Sequence, residues 1–197
     1  MKTRLFGINI SFSFWFFALI TVFLTVGRQQ LALYFILPVV IHECGHIIAM
    51  FFCGIGIEAV SFNAFGIDIQ RKLSTTSSYA KDIIVSLGGI AANLVTAVLV
   101  YTFAFASVRT MFFISVNIAV ALFNAMPVGN LDGGQILEYI LAHRSGPERA
   151  RKISGIFSLL LLIPLFALAI LLILRDFANI SLLIVCIYLA FVVIFGD

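Results

Sequence analysis

The sequence predicts an all-α membrane protein of six transmembrane helices, with a short β-strand or hairpin at the cytoplasmic face between the second and third. Three observations predict it. Of the 197 residues, 62% are hydrophobic and only 11% charged, whereas soluble domains carry about 25% charged residues. So apolar a chain cannot clothe a water-facing surface. The apolar residues gather into six runs, and the basic residues sort onto alternate connections between them. At about 20 residues per span, six helices leave no room for a separate soluble domain. Residues 1–197 therefore read as one intramembrane domain.

The elements follow in order. The first run, Phe6–Val26, comes after Lys2 and Arg4. It is too long for the apolar core of a signal peptide and no small-residue cleavage site follows it, so it reads as a retained span. The second, third, fifth and sixth runs are Leu31–Cys53, Ile83–Ala106, Ile153–Leu174 and Ile180–Phe195. Each is long enough to cross a hydrocarbon core of about 30 Å as a helix. The fourth, Met111–Met126, is short and stops at Pro127. Between the second and third runs, Val60, Phe62 and Ala64 alternate with Ser61 and Asn63. Phe65, Ile67 and Ile69 then alternate with Gly66, Asp68 and Gln70. This is period-two patterning with one slip near Ala64, as a bent strand or small hairpin gives.

Charge sets the orientation. Nine of the 12 basic residues lie at the N-terminus or in the second-to-third and fourth-to-fifth connections, leaving Arg28, Arg109 and Arg175 on the other side. The positive-inside rule then puts both termini in the cytoplasm. The net charge of +3 is loop charge of this kind and no nucleic-acid patch. The three cysteines sit within apolar runs and form no disulfide framework.

The second span carries His42-Glu43-Cys44-Gly45-His46. Residues four apart share a helix face, so His42 and His46 can hold one Zn²⁺ through ring nitrogens. Glu43, one residue round, can reach an activated water and take its proton as general base. A satisfied polar histidine is the bland alternative. Against it, two of the chain's three histidines fall in this register around one of its four glutamates. Glu43 is also the one acidic residue inside an expected span, where a charge is expensive and points to function. Cys44 reads as a small apolar residue facing a neighbouring helix.

A zinc site with an open position needs a third protein ligand. Asp132, Glu138 and His143 are the candidates. Asp132 follows the break at Pro127, in a Gly-rich stretch able to bend back at membrane depth within protein. This places it at the cytoplasmic end of the fourth span, the same depth as the two histidines. His143 sits beside Arg144 in a basic, solvated loop. Glu138 falls in an amphipathic stretch with Ile136, Leu137, Ile140 and Leu141.

The pairing of His-Glu-Cys-Gly-His with Asn124-Ala125-Met126-Pro127 and Leu131-Asp132-Gly133-Gly134 resembles the site-2 protease family of intramembrane metalloproteases. The six-span layout and Gly7-Ile8-Asn9-Ile10-Ser11 resemble the subgroup of the stage IV sporulation protein FB, which processes a membrane-associated sigma-factor precursor. The resemblance implies that His42, His46 and Asp132 bind zinc and that Glu43 is the catalytic acid/base. It implies that Asn124 lies near the metal and contacts the scissile peptide. Ser86–Asn93 is similar to the family's Gly-Pro-x-x-Asn stretch, with Ala91 or Ile90 where proline is usual, and Gln135 stands where arginine is common.

The expected activity is therefore hydrolysis of a peptide bond in or near the membrane segment of a membrane-associated protein, such as a sigma-factor precursor or its regulator. Partners are that substrate and a membrane-bound inhibitor or regulator, in a bacterial plasma or forespore membrane. No PDZ or CBS domain fits in the chain. The alternatives are a non-proteolytic zinc-binding membrane regulator and a metal transporter. The intact Glu43 argues against the first. The single ligand cluster argues against the second, since transport wants ligands at several depths.

Overall fold

The computed structural model describes residues 2–5, 8–13, 21, 29–63, 66–72, 78–129, 131–175 and 180–195. The chain forms two compact units, Met1–Ala121 and Leu122–Asp197.

The first unit opens with two strands, β1 (Lys2–Leu5) and β2 (Ile8–Phe12). Helix α1 (Gln29–Phe52) follows, then β3 (Ile57–Asn63) and β4 (Gly66–Arg71). Helix α2 (Tyr79–Phe103) and most of α3 (Val108–Asn124) complete it. The strands form one sheet in the order β1-β2-β3-β4. The β3–β4 hairpin is antiparallel, pairing Val60 with Ile69 and Phe62 with Ile67, so the period-two segment is a hairpin rather than one bent strand. Its break falls where the alternation slips. β2 runs parallel to β3, with Ser11 opposite Ser61, and the Ser11 hydroxyl donates to Ser61 Oγ over 2.9 Å. Parallel neighbours need a long crossover, and α1 lies within this one.

The start of the first expected span is thereby corrected. Ile8–Phe12 is a strand and not the beginning of a helix. Its apolar residues Ile8, Ile10 and Phe12 alternate with Asn9 and Ser11, and the backbone of β3 satisfies its hydrogen bonds. Residues 6–7, 14–20 and 22–26 of that expected span lie outside the described residues.

Helices α1 and α2 meet through small residues. A Cβ on Gly45 would collide with the backbone carbonyl of Gly88, and one on Gly88 would lie 2.7 Å from the Ala49 Cβ. Gly45 and Ala49, like Gly88 and Ala92, are four apart, so each helix offers one small-residue stripe and the backbones close together. α2 also has an inside-out pattern. It buries Asp82, Ser86, Gly89 and Asn93 and exposes Leu94, Val95, Val98 and Leu99. An apolar face turned outward suits lipid and would be costly in water. At one end of the pair, Ala49, Met50, Ile55 and Val85 form a small core, against which Ile57 and Ile69 of the hairpin pack. Arg71 pairs with Asp82, and the Lys81 ammonium donates to the Cys53 carbonyl over 2.8 Å, capping the end of α1.

The second unit contains the last turn of α3 together with α4 (Asp132–Ser145), α5 (Pro147–Arg175) and α6 (Ser181–Phe195). Its core is Val128, Leu162 and Leu189, surrounded by residues that include Phe123, Met126, Leu131 and Val193. Gly146, at φ 82°, ends α4, and Pro147 starts α5 at the position where a missing N–H costs nothing.

Among the described residues, three helical segments are long and apolar enough to cross a membrane: Leu33–Phe52, Tyr79–Phe103 and Pro147–Arg175. Val108–Asn124 and Leu182–Phe191 are apolar but shorter. The protein is mostly helical with apolar helices of membrane-spanning length, the build of an integral membrane protein.

Candidate metal centre

His42 and His46 lie one turn apart on α1 and face α2. Their rings are 4.8 Å apart between centroids and nearly perpendicular, at 85°. The residues they meet on α2 are Val85, Gly89 and Asn93, again one helix turn apart in each step. His46 Nδ1 lies 2.8 Å from the Val85 carbonyl oxygen. A carbonyl only accepts, so Nδ1 carries the proton and Nε2 the lone pair. His42 Nδ1 lies 2.7 Å from Asn93 Oδ1. Between these two contacts sits Gly89. A Cβ there would stand 2.5 Å from His46 Nε2 and 2.8 Å from His42 Cε1, so the absent side chain leaves the space the rings occupy.

Asn93 is fully buried and belongs to a directed chain of amides. Its Nδ2 donates to the Pro38 carbonyl over 2.9 Å and to Asn117 Oδ1 over 3.0 Å. Asn117, on α3 and also fully buried, donates to the Phe113 carbonyl over 2.9 Å. Two imidazoles with Nδ1 turned to acceptors are a donor pair suited to a divalent metal. Glu43 is half-buried one residue round from His42, and Cys44 is exposed. Cys44 therefore lies on the outer face of α1, not against a neighbouring helix as expected.

The other two expected residues belong to the second unit. Asn124 is half-buried and ends α3, and Asp132 is buried and begins α4. The chain between them is tightly shaped. Met126 N–H bonds the Phe123 carbonyl over 3.2 Å, and Leu131 N–H bonds the Val128 carbonyl over 3.1 Å. Gly129 has φ 51°, a left-handed conformation that favours glycine. Its N–H donates to Ser158 Oγ over 2.8 Å, and that hydroxyl donates to the Ser154 carbonyl over 2.8 Å. A Cβ on Gly133 would collide with the Ala125 carbonyl, and one on Gly134 with the Gly129 carbonyl. The two glycines thus let the first turn of α4 press onto the preceding loop and hold Asp132 at a helix N-terminus, where the dipole favours negative charge. The break expected at Pro127 lies between the end of α3 at Asn124 and the start of α4 at Asp132. His143 is exposed and Glu138 half-buried, both further along α4.

Sequence reasoning singled out His42, Glu43, His46, Asn124 and Asp132 but gave no role to Gly89, Asn93, Asn117 or Ser158. The available signal was an Asn four residues after a Gly in an otherwise apolar helix, because a buried amide in a span demands a partner.

The chain is similar to the solved structure of the site-2 protease from Methanocaldococcus jannaschii, with a TM-score of 0.68 and 20% sequence identity over 98% of this chain and 94% of that one. Residues 106–165 match the model of peptidase family M50. That stretch includes Asn124 and Asp132 but not His42, Glu43 or His46. No curated protein sequence matches the chain.

Proposed function

We propose that this protein is an intramembrane zinc-dependent endopeptidase that cuts a membrane-associated protein in or near its membrane segment. The observation that carries the reading is the orientation of His42 and His46, each with Nδ1 held by an acceptor, which leaves Nε2 as the lone-pair nitrogen of each ring. His42, His46 and Asp132 are the residues that could hold a metal ion. Two imidazoles and one carboxylate are a ligand set of catalytic zinc enzymes, which keep a further position open. When bound, zinc supplies Lewis acidity and a nucleophilic water at neutral pH. Glu43 would accept a proton from the attacking water and give it to the leaving amine. Asn124 donates to the substrate backbone or the developing oxyanion. Substrate must be extended to be cut, and the hairpin ends in β4, an edge strand of the sheet, able to add a peptide strand.

The wider reading has six spans with both termini in the cytoplasm of a bacterial plasma or forespore membrane, supported by the sorting of basic residues. The substrate is then a membrane-associated transcription-factor or sigma-factor precursor, or its regulator, as in regulated intramembrane proteolysis during sporulation. A membrane-bound inhibitor or regulator is the expected second partner. The resemblance of the N-terminal run and the span layout to the stage IV sporulation protein FB subgroup supports this assignment.

The test is co-expression or co-reconstitution with candidate membrane-bound precursors, comparing the wild type with Glu43→Gln. The variant keeps bound zinc and loses cleavage. Turnover by Glu43→Gln would remove Glu43 as the base. Vesicle zinc uptake without cleavage products would instead make the protein a transporter.

A further inference from the structure

The two histidines are oriented by different kinds of group. His46 leans on a backbone carbonyl, Val85 O, which no substitution removes. His42 leans on a side chain, Asn93. The sense of that hydrogen bond is fixed by the rest of the chain of amides. The Pro38 carbonyl can only accept, so the Asn93 atom facing it is Nδ2, which also donates to Asn117 Oδ1. Both amide protons are then used and Oδ1 faces the ring. His42 Nδ1 must be the donor, and Nε2 carries the lone pair. Asn117 is held in its own sense by the Phe113 carbonyl, which accepts from its Nδ2.

We propose that Asn93 is a positioning residue that locks His42 in the Nδ1–H tautomer and so prepares its Nε2 for the metal, with the Pro38 carbonyl setting the sense of the Asn93 amide and Asn117 accepting its second proton. This rests on the reading of His42 as a ligand, but the tautomer itself is a property of the metal-free protein. The same amide grips the Pro38 carbonyl one turn before His42, so ring and helix turn are held together. Partners of ligating histidines set tautomer and ring orientation, and losing one costs about ten- to a hundredfold in metal affinity.

Two measurements on the full chain in detergent micelles test this. The chain has 3 histidines, so ¹⁵N-histidine spectra are assignable by single substitutions. In the metal-free wild type at a pH where imidazole is neutral, His42 shows a protonated Nδ1 and a bare Nε2. In Asn93→Leu it shifts to the Nε2–H form, while His46 keeps its Nδ1–H form. Chelator competition with Zn²⁺ gives the second reading. Asn93→Leu lowers zinc affinity about ten- to a hundredfold. Asn93→Asp still accepts from Nδ1–H and binds zinc near wild-type affinity, although its melting temperature falls because the two amide donors are lost. A merely structural role predicts the opposite for Asp, with zinc affinity and stability falling together. If Asn93→Leu fails to fold, Asn93→Asp carries the test: it keeps His42 in the Nδ1–H form with zinc affinity near wild type, and loss of either overturns the proposal. An Nε2–H wild-type His42, or unchanged zinc affinity in Asn93→Leu, overturns the proposal. A wild type with the Nδ1–H tautomer that binds no zinc leaves the tautomer lock standing and sinks the metalloprotease reading, and with it the lock's purpose.

Discussion

Gly89 of α2 stands directly against His46: a Cβ at that position would lie 2.5 Å from Nε2 and 2.7 Å from Cε1 of the ring, and 2.8 Å from Cε1 of His42. Gly89→Ala therefore sets two effects against each other. Alanine favours a helix interior over glycine by about 1 kcal/mol, but the methyl group needs space held by both rings. The expected result is a protein that folds yet binds zinc at least about tenfold more weakly, as loss of ligand orientation does. The zinc-to-protein ratio after chelator competition measures it, with the circular dichroism helix signal as the control for folding.

Neighbouring positions on α1 differ sharply. Gly45 is buried at the seam with α2, and a side chain there meets the Gly88 backbone, which cannot swing aside. Gly45→Val should cost about 1–3 kcal/mol through overpacking, seen as a lower thermal midpoint in detergent. Cys44 faces outward, so Cys44→Ala should leave zinc content, cleavage and thermal midpoint unchanged. Loss of zinc in Cys44→Ala would make the thiol a ligand.

Ser158 holds the left-handed turn at Gly129 from α5. Ser158→Ala removes the acceptor of the Gly129 N–H and should cost about 1–3 kcal/mol, the range for a deprived buried donor. Because that turn leads into Asp132, zinc affinity should fall as well. Thermal unfolding with and without added zinc separates the two losses.

The hairpin is tied to α2 by the Arg71–Asp82 pair, with Asp82 largely buried and Arg71 about one-third exposed. Arg71→Met keeps much of the side-chain bulk and removes the charge-assisted bond, worth about 1.5–3 kcal/mol. Limited proteolysis should cut the variant faster between β3 and β4 than the wild type. An unchanged cleavage pattern would mean that packing of Ile57 and Ile69 alone holds the hairpin.

Chelation should abolish peptide-bond cleavage, and stoichiometric zinc should restore it, while the helix signal in circular dichroism persists through both steps. Helix packing such as the Gly45–Gly88 seam involves no metal ligand. Collapse of the helix signal on chelation would instead make the metal structural.

Much of this was readable along the chain. Continuous apolarity reads as membrane helices over Leu31–Cys53, Ile83–Ala106 and Ile153–Leu174, where the structure has Gln29–Phe52, Tyr79–Phe103 and Pro147–Arg175, because lipid leaves the backbone's polar groups to be satisfied within the helix. Local alternation over Val60–Gln70 left one bent strand or a small hairpin open, and the pairing of Val60 with Ile69 decided for the hairpin. Asp132 was readable as the strongest third candidate because Pro127 breaks the fourth run just before it. The strand at Ile8–Phe12 was hidden although its alternation is present, since a long apolar run reads as a span and its pairing partner lies some fifty residues away.

The sequence by itself determined the apolar, membrane-spanning character of the helices and the face-sharing spacing of His42 and His46 around Glu43, since both depend on composition and on the 3.6-residue period of one helix. Only the tertiary structure decided which ring nitrogen each histidine turns outward. That choice belongs to groups on other elements: the Val85 carbonyl, the Asn93 amide and, behind it, Asn117. It also gave Gly89 its purpose, because a missing side chain has meaning only once something else fills the space. Hydrogen-bond partners and close approaches between helices are made by residues distant in the chain, and no local pattern encodes which distant atom will accept.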